Sequence, residues 1–376
     1  MNPPVYLDYN ATTPVDPLVA DAIEPYLRQH FGNPSSTHVY GRNAHLAVEQ
    51  ARQQVARLIG AQADEMIFTG CATEANNLAI RGVARALRDK GRHLITSAVE
   101  HPAVEQPFRY LGDNGWNISV LPVDEYGQVD PSMLAESLRD DTVLVSIMHA
   151  NNEVGTIQPI DEIAAITRPR GILLHTDAAQ SVGKIPVSVD DLGVDLLTLA
   201  GHKFYATKGV GALFVRRSTP IQPVLLGAGH ESGLRPGTEN VPAIAGLGEA
   251  ARIAFEQHSE HEQQTRSLRD QLHARLAEAI PGLLLNGHPE RRLPNTLNLS
   301  FPGADGRNIL AHAASEVAAS VGSACHEEGE AVSGVLGAMG IEADRARGAV
   351  RLSLGKPTTG AEIEHAARAL IAAWRP

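Results

Sequence analysis

The chain has 376 residues, 43% of them hydrophobic, and its 32 basic and 43 acidic residues give a net charge of −11. This length allows a large buried core and predicts two or three structural units. The acidic balance opposes attraction to phosphate backbones, so we expect no direct binding of nucleic acid.

Neither a targeting signal nor a metal cluster is evident from the sequence. No run of 18 apolar residues occurs, and the first residues, MNPPVYLDYNATTP, lack the basic flank and apolar stretch of a secretory signal. We therefore expect a globular, cytoplasmic protein that does not bind a membrane. Its two cysteines, Cys71 and Cys325, are too few for a disulfide framework or a metal cluster, so each is either an apolar filler or a reactive thiol.

The first part of the chain predicts two helices separated by a loop. Apolar residues recur at helical spacing over residues 15–27, with Asp16 as a cap and Pro17 at the first helical position. The segment FGNPSSTH has the composition of a loop, and the amphipathic helix predicted after it ends at Gly60.

Seven short apolar runs then alternate with helical segments. This alternation predicts an α/β fold, and runs that are apolar throughout are typical of a mostly parallel sheet covered by helices on both faces. The predicted strands are 66–69, 93–98, 118–121, 142–148, 172–176, 196–199 and 211–215.

The pattern changes after about residue 240, where a long, charged helical stretch begins. A leucine or isoleucine at every fourth position from 268 to 280 predicts one buried stripe, on a helix that links two domains. Short strands at 297–301 and 349–354 alternate with helices beyond it. We predict a large domain over residues 15–255 and a smaller α+β domain formed by residues 1–14 and 256–376.

Polar residues after two of the apolar runs suggest a cofactor site. Lys203 follows the run that ends at Leu199, Asp177 follows the run ILLHT, and ligands of open α/β sheets bind beyond the carboxyl ends of the strands. Pyridoxal 5′-phosphate (PLP) needs a lysine amine for its covalent attachment and a carboxylate that keeps its ring nitrogen protonated. From spacing alone, a solvated lysine is the alternative interpretation.

A phosphate site is predicted between the first strand of the sheet and the next helix. Residues 69–75, TGCATEA, place backbone N–H groups, a helix N-terminus and the Thr73 hydroxyl where they could hold an anion. The alternative is an ordinary capped helix with Thr73 as its N-cap.

Ten segments carry a family resemblance, in this order along the chain: YLDYNATTPVDP, FGNPSSTH, FTGCATEANN, VEHPAV, HANNEVGTIQPI, HTDAAQSVGK, AGHKFYATKGVGALFV, GLRPGTEN, GSAC and VRLSLGKPTT. Through them the chain resembles the cysteine desulfurases, PLP enzymes of the aspartate-aminotransferase-like group (fold type I), over essentially its whole length. The resemblance implies a large domain with a mostly parallel sheet covered by helices, and a smaller α+β domain that carries the catalytic cysteine.

The resemblance also implies roles for individual residues. Lys203 would be the Schiff-base lysine, Asp177 the partner of the pyridine nitrogen, and Gln180 a partner of the ring oxygen. His101 would lie over the ring and move protons, a task that suits an imidazole titrating near neutrality. Taken alone, a histidine before Pro102 would more often be a structural loop residue.

Further implied roles concern the phosphate, the substrate and a second subunit. Thr238 would reach the phosphate of the neighbouring subunit's cofactor, which implies a homodimer. Arg351 would bind the substrate carboxylate as a bidentate fork; without the resemblance it would be a surface arginine on an edge strand. Asn152 would contact both cofactor and substrate, and the residues expected to hold the phosphate are Ala72, Thr73 and His202.

Cys325 is the residue that specifies the reaction. It lies in a stretch of small and polar residues, ASVGSACHEEGE, which is typical of an exposed, mobile segment, although a buried apolar role is the common fate of a free cysteine. The resemblance implies that its thiolate attacks the sulfur of L-cysteine, leaving L-alanine and a persulfide on Cys325. A separate protein would then accept the sulfur for iron–sulfur assembly, tRNA thiolation or DNA sulfur modification.

Two positions depart from the family pattern, and three other functions stay open. Ala200 replaces a serine usual in the family, which removes one hydroxyl donor from the phosphate site. Cys71 adds a thiol there, and we expect it to be a small packing residue. The alternatives are an aminotransferase, a selenocysteine lyase and a noncatalytic scaffold for sulfur acceptors.

Overall fold

A computed structural model of the chain describes residues 3–322 and 333–375. The strands are β1 (Val5–Tyr6), β2 (Met66–Thr69), β3 (His93–Ser97), β4 (Asn117–Leu121), β5 (Thr142–Ser146), β6 (Leu173–Asp177), β7 (Leu196–Ala200), β8 (Gly211–Val215), β9 (Leu284–Asn286), β10 (Thr296–Ser300), β11 (Val317–Ala318) and β12 (Ala349–Ser353). The helices are α1 (Pro17–Arg28), α2 (Val39–Leu58), α3 (Ala72–Leu87), α4 (Pro102–Asp113), α5 (Pro131–Ser137), α6 (Ile160–Thr167), α7 (Val189–Leu192), α8 (Val241–Ala279), α9 (Gly306–His312), α10 (Gly334–Ala338), α11 (Ala343–Arg347) and α12 (Gly360–Ala373).

The seven predicted strands form one sheet in the order β2-β8-β7-β6-β5-β3-β4. The five strands from β7 to β4 are parallel, whereas β8 runs antiparallel to both β7 and β2. The prediction of an α/β fold with a mostly parallel sheet is therefore confirmed. Each observed strand lies within two residues of its predicted bounds because each is a run of apolar residues that ends at polar or glycine positions.

Helices cover both faces of this sheet. On one face, apolar residues of α1, α2, α6 and the first part of α8 share a core with strand residues such as Ile95 and Phe214. On the other face, α3 and α4 pack on residues such as Leu94 and Leu213. Consecutive residues of an inner strand thus enter opposite cores, which explains why the inner strands are buried on both faces.

The first two helices begin where the sequence predicts or earlier. Asp16 caps α1 by accepting a hydrogen bond from the Leu18 N–H at 2.9 Å, and Pro17 is the first helical residue. The second helix is longer than its amphipathic pattern indicated: it begins at Val39 with His38 as its N-cap, and Gly60 follows its C-cap with a φ of 69°.

A separate core lies in the C-terminal part of the chain. There β12, β10 and β9 form an antiparallel sheet, and β1 pairs with β11. The predicted leucine stripe on α8 is buried in this core together with Val5 and Leu7 from the N-terminal segment. The 39-residue helix α8 thus contributes to both cores, and the domain boundaries at residues 15 and 255 stay a prediction. No helix in the described ranges is long and apolar enough to cross a membrane.

Candidate active site

Lys203 and Asp177 lie at the carboxyl ends of neighbouring parallel strands. Asp177 is the last residue of β6, and Lys203 ends a 3-10 turn, Gly201–Lys203, directly after β7. Because parallel neighbours end at the same edge of the sheet, both side chains line one cavity of about 230 Å³. The predicted site residues that line this cavity are Ala72, Thr73, His101, Asn152, Asp177, Gln180, His202 and Lys203.

The amine of Lys203 is held by the N-terminal segment of the chain. Its Nζ donates to the backbone carbonyls of Asn10 at 2.7 Å and Ala11 at 2.8 Å. Burial, followed by the positive charge of Arg351, lowers the pKa of Lys203 to about 8, although the carboxylate of Asp177 acts in the opposite direction. A substantial fraction of this amine is therefore neutral, and hence nucleophilic, near physiological pH.

Asp177 is a buried carboxylate whose orientation is fixed from two sides. Its Oδ1 accepts the Ala179 N–H at 2.9 Å, and its Oδ2 accepts the Asn76 Nδ2–H at 2.7 Å. Asn76 lies on α3, is fully buried, and was not predicted to belong to the site. The sequence did contain a signal, since a fully enclosed asparagine on the apolar face of a helix needs a polar partner inside the protein.

A second lysine, Lys184, lies beside Gln180. Lys184 Nζ donates to Gln180 Oε1 at 2.8 Å and to Asn10 Oδ1 at 2.9 Å. The amide nitrogen of Gln180 donates to the Asn10 carbonyl oxygen at 3.0 Å, the same oxygen that accepts from Lys203. Asn10 therefore connects three side chains of the site, and sequence reasoning missed both Asn10 and Lys184.

His101 is the N-cap of α4, and this position fixes its tautomer. Its Nδ1 accepts the Ala103 N–H at 3.1 Å, so in the neutral ring the proton lies on Nε2. Desolvation lowers the pKa of His101 below its ordinary value, although the charge of Asp177 opposes this change. The ring is thus neutral near pH 7 even though part of it is exposed to solvent in the single chain.

The N-terminus of α3 forms one end of the cavity. The N-cap is Cys71, and the Thr73 hydroxyl is therefore not the cap that the alternative interpretation required. Gly211 lies behind this turn, and a Cβ there would come within 2.9 Å of the Cys71 carbonyl carbon, so a glycine permits the close approach of β8. The expectation that Cys71 is a small packing residue is wrong, because Cys71 is exposed and lines the cavity.

Two further residues of the cavity wall lie near the same end. Ala200 is buried at the end of β7, and His202 lies in the turn that follows. Burial, with smaller contributions from nearby lysines, lowers the pKa of His202 to about 4, so this ring is neutral at pH 7. Its Nδ1 lies 3.2 Å from the Thr12 hydroxyl, which again brings the N-terminal segment to the site.

Arg351 lies next to the cavity wall and not in it. Its guanidinium is buried, donating through Nη2 to Asp8 at 2.7 Å and through Nη1 to the carbonyl of Asn152 at 3.1 Å. The interpretation of Arg351 as a surface arginine is therefore wrong. The strand β12 that carries it is covered on its outer side by backbone bridges to Asp8 and Ser320.

Besides Arg351, two further predicted site residues are not placed in the cavity wall. Thr238 is exposed on the long connection between β8 and α8 and is absent from the cavity wall. Cys325 lies outside the described residues. The residues flanking that interval, Gly322 and Ser333, both lie close to Glu153, whose Oε2 accepts the Ser333 hydroxyl at 2.6 Å.

The donor set of the cavity fits PLP. Lys203 provides an amine that is partly neutral near pH 7, and Asp177 provides a buried carboxylate for a protonated ring nitrogen. At the other end, the N-terminus of the 16-residue helix α3 and the Thr73 hydroxyl suit a phosphate. Gln180 offers an amide to a ring substituent, and among the described residues that line the cavity Asp177 is the single acidic one.

Comparison with known proteins agrees with this geometry. Residues 5–365 match the aminotransferase class-V family. The chain is 48% identical over 362 residues to the cysteine desulfurase IscS of Dictyoglomus turgidum, covering 96% of this chain and 92% of that protein. Among solved structures it superimposes on a NifS-like protein with a TM-score of 0.92 and 38% identity, covering 98% of both chains. It also matches SspA in complex with cysteine, with a TM-score of 0.83 and 34% identity over 94% of this chain and 99% of that one. The chain therefore belongs to the cysteine desulfurases of the aminotransferase class-V family.

Proposed function

We propose that this chain is a PLP-dependent cysteine desulfurase that converts L-cysteine to L-alanine and passes the sulfur, as a persulfide on Cys325, to an acceptor protein. The observation that carries the proposal is the shared cavity of Lys203, Asp177 and His101, in which a lysine with a pKa of about 8 accompanies a buried carboxylate and a neutral imidazole. The family membership of the whole chain supports the same reaction.

Bound PLP supplies an electron sink that makes the substrate's carbon–hydrogen and carbon–sulfur bonds labile. Lys203 would hold the cofactor through its amine, and Asp177 would keep the ring nitrogen protonated. Ala72, Thr73 and His202 would hold the phosphate, with Asn152 and Gln180 at the side of the ring. Because Asn76 and the Ala179 N–H each hold one carboxylate oxygen of Asp177, the carboxylate is already oriented before a ligand binds.

His101 would move protons through Nε2. Its Nδ1 is occupied by the Ala103 N–H, so only the second nitrogen can accept or donate a proton in the cavity. The lowered pKa of His101 keeps that ring neutral at pH 7, and a neutral imidazole can act first as a base and then, once protonated, as an acid.

Arg351 would bind the carboxylate of L-cysteine. Its Nε is buried without a hydrogen-bond partner among the described residues, while its Nη atoms contact Asp8 and Asn152. A substrate carboxylate would satisfy this donor and add to the negative charge that a buried guanidinium requires. Asn152, which lines the cavity, would contact the substrate on the same side.

The sulfur transfer balances without an external oxidant. The carbon–sulfur bond of L-cysteine breaks and a sulfur–sulfur bond to Cys325 forms, while the proton of the Cys325 thiol ends on the methyl carbon of L-alanine. A reductant is needed only to release the sulfur as sulfide in the absence of an acceptor.

We also propose that the enzyme works as a homodimer. Thr238 is exposed and does not line the cavity of its own chain, so its proposed contact with a cofactor phosphate would come from a second subunit. Thr238→Ala should weaken PLP retention in a species that sedimentation shows to be a dimer. A monomeric active enzyme would overturn this part of the proposal.

The test of the reaction compares three proteins: the wild type, Cys325→Ala and the matched variant Cys71→Ala. Alanine and sulfide are measured from L-cysteine with a reductant present, and PLP binding is followed by its absorbance. We expect Cys325→Ala to bind PLP and release no sulfide, and Cys71→Ala to retain activity. If Cys325→Ala were as active as the wild type, Cys325 would not be the acceptor and Cys71 or a direct lyase reaction would replace it.

A further inference from the structure

Lys184 is a second lysine in the site that the reaction described above does not use. It lies in the turn after β6, seven residues beyond Asp177, and its Nζ contacts two amide side chains, at 2.8 Å from Gln180 Oε1 and 2.9 Å from Asn10 Oδ1. Burial, with the charges of Lys203 and Arg351, lowers the pKa of Lys184 well below its ordinary value. Enclosing such an amine costs free energy that an apolar side chain of the same length would avoid.

The two contacts determine which end of the Gln180 amide faces which neighbour. An amide carries an oxygen that accepts and a nitrogen that donates two hydrogen bonds. A lysine amine donates whether it is charged or neutral, so the Gln180 oxygen turns toward Lys184. The Gln180 nitrogen then faces the opposite direction, where one N–H reaches the Asn10 carbonyl at 3.0 Å and the second is left for the cavity that Gln180 lines.

The same logic applies to Asn10. Its Oδ1 accepts from Lys184 and, at 3.1 Å, from Asn295, while its Nδ2 donates to Thr296 at 2.8 Å. The Asn10 side chain is therefore held between Lys184, which follows the large sheet strand β6, and residues 295–296 at the start of β10 in the C-terminal sheet. Its carbonyl oxygen, which accepts from both Gln180 and Lys203, is fixed with it.

We propose that Lys184 is a positioning residue of this active site: it holds the oxygen ends of Gln180 and Asn10, so that the Gln180 nitrogen is the end presented to the cofactor ring oxygen. The inference rests on the proposed function only in taking PLP as the ligand of the cavity. Without Lys184, only the hydrogen bond from the Gln180 nitrogen to the Asn10 carbonyl would hold the amide in this orientation, and in the reversed orientation the Gln180 oxygen would oppose the ring oxygen.

The test is a double-mutant cycle on the PLP-loaded protein. The variants are Lys184→Met, Gln180→Leu, the double variant and Lys184→Arg, with Lys90→Met, an exposed lysine on the surface, as the matched control. Three quantities are measured: the dissociation constant of PLP by equilibrium dialysis, the pH midpoint of the absorbance change of the bound PLP, and the melting temperature without PLP.

A hydrogen bond donated to the ring oxygen stabilises its anionic form, so losing it raises the pH midpoint. We expect Lys184→Met to weaken PLP binding about tenfold and to raise the midpoint by about one pH unit, the loss of one hydrogen bond to a charged group. Lys184→Arg can still donate hydrogen bonds, so its PLP affinity and pH midpoint should lie close to those of the wild type. Lys90→Met should match the wild type in both quantities.

The decisive result is the cycle. If Lys184 acts through Gln180, Lys184→Met should change neither PLP affinity nor midpoint further in the Gln180→Leu background. The proposal would be overturned if Lys184→Met lowered PLP affinity equally in the wild-type and Gln180→Leu backgrounds, or if Lys184→Met left the pH midpoint unchanged. A lower melting temperature alone would show a merely structural role. If Lys184→Met does not fold, Lys184→Gln replaces it in the same cycle. Lys184→Gln should lower PLP affinity by a smaller factor, and it should cause no further loss of affinity in the Gln180→Leu background.

These outcomes are distinct from those that test the reaction. A protein that binds PLP but produces no alanine from L-cysteine would refute the proposed function and leave the cycle interpretable. A protein that produces alanine with an unperturbed midpoint in Lys184→Met would refute only the role of Lys184.

Discussion

The lowered pKa of Lys203 makes a quantitative prediction about its reactivity. With a pKa of about 8, roughly one amine in ten is neutral at pH 7, against about one in three thousand for a lysine at the ordinary value of 10.5. The cofactor-free protein should therefore present a Lys203 amine that reacts with small aldehydes roughly 300-fold faster than an ordinary lysine of equal accessibility.

The assay is reductive methylation of the cofactor-free protein by formaldehyde and cyanoborohydride, read residue by residue in peptide mass spectra from pH 6 to 10. The extent of labelling at Lys203 should rise with a midpoint near pH 8, since only the neutral amine attacks an aldehyde. The exposed Lys90 gives an internal reference for the reagent at each pH. Formaldehyde carries no phosphate, so the result does not depend on the anion site.

A charge substitution tests the cause of the lowered pKa. After burial, the largest cause is the positive charge of Arg351, so Arg351→Met should raise the pKa of Lys203. A rise of about one unit would slow labelling at pH 7 about tenfold. Arg347→Met removes the same charge from an exposed site on α11 and should change nothing. A midpoint near pH 10 in the wild type, or an identical midpoint in Arg351→Met, would refute the electrostatic reasoning.

Two further predictions concern a buried ion pair beside β2 and a residue of the cavity wall. Glu231 and Arg52 form a buried pair with two contacts of 2.8 Å, so Glu231→Gln should reduce the free energy of unfolding by about 3–5 kcal/mol in urea titrations. Glu49→Gln, which removes the more exposed partner of the same arginine, should cost no more than about 1 kcal/mol, and equal losses would contradict the assignment. Ala200→Ser restores a hydroxyl at the cavity wall and should tighten PLP binding about fivefold in equilibrium dialysis; unchanged affinity would mean that this hydroxyl does not reach the phosphate.

The large sheet and the central pair of the site were predictable because both depend on local patterns. Each strand is a short apolar run, and Asp177 and Lys203 follow two such runs directly. What the pattern did not contain is the order of the strands: β6 and β7 are adjacent, whereas β8 turns back to lie between β7 and β2. For Asp177 and Lys203 to share a site, only β6 and β7 have to be neighbours; the position of β8 does not matter.

The role of the N-terminal segment was not predictable in the same way. Residues 8–13 have neither a helical nor a strand pattern, and their contacts are with residues far along the chain: Lys203 is 193 positions from Asn10, and Arg351 is 343 positions from Asp8. Such contacts follow from how the two cores meet, which no local periodicity records. For the same reason the interpretation of Arg351 as a surface arginine, made without the family resemblance, was wrong.

These long-range contacts have a consequence for how the two cores cooperate. Asn10 donates to Thr296 of β10 and accepts at its carbonyl from Lys203, while Arg351 of β12 joins Asp8 to the carbonyl of Asn152. A displacement of the C-terminal core would therefore move the carbonyl that holds the Lys203 amine and the charge that lowers its pKa. Since both effects act on the same nitrogen, the reactivity of Lys203 depends on the packing of the C-terminal core as well as on the strand that carries it.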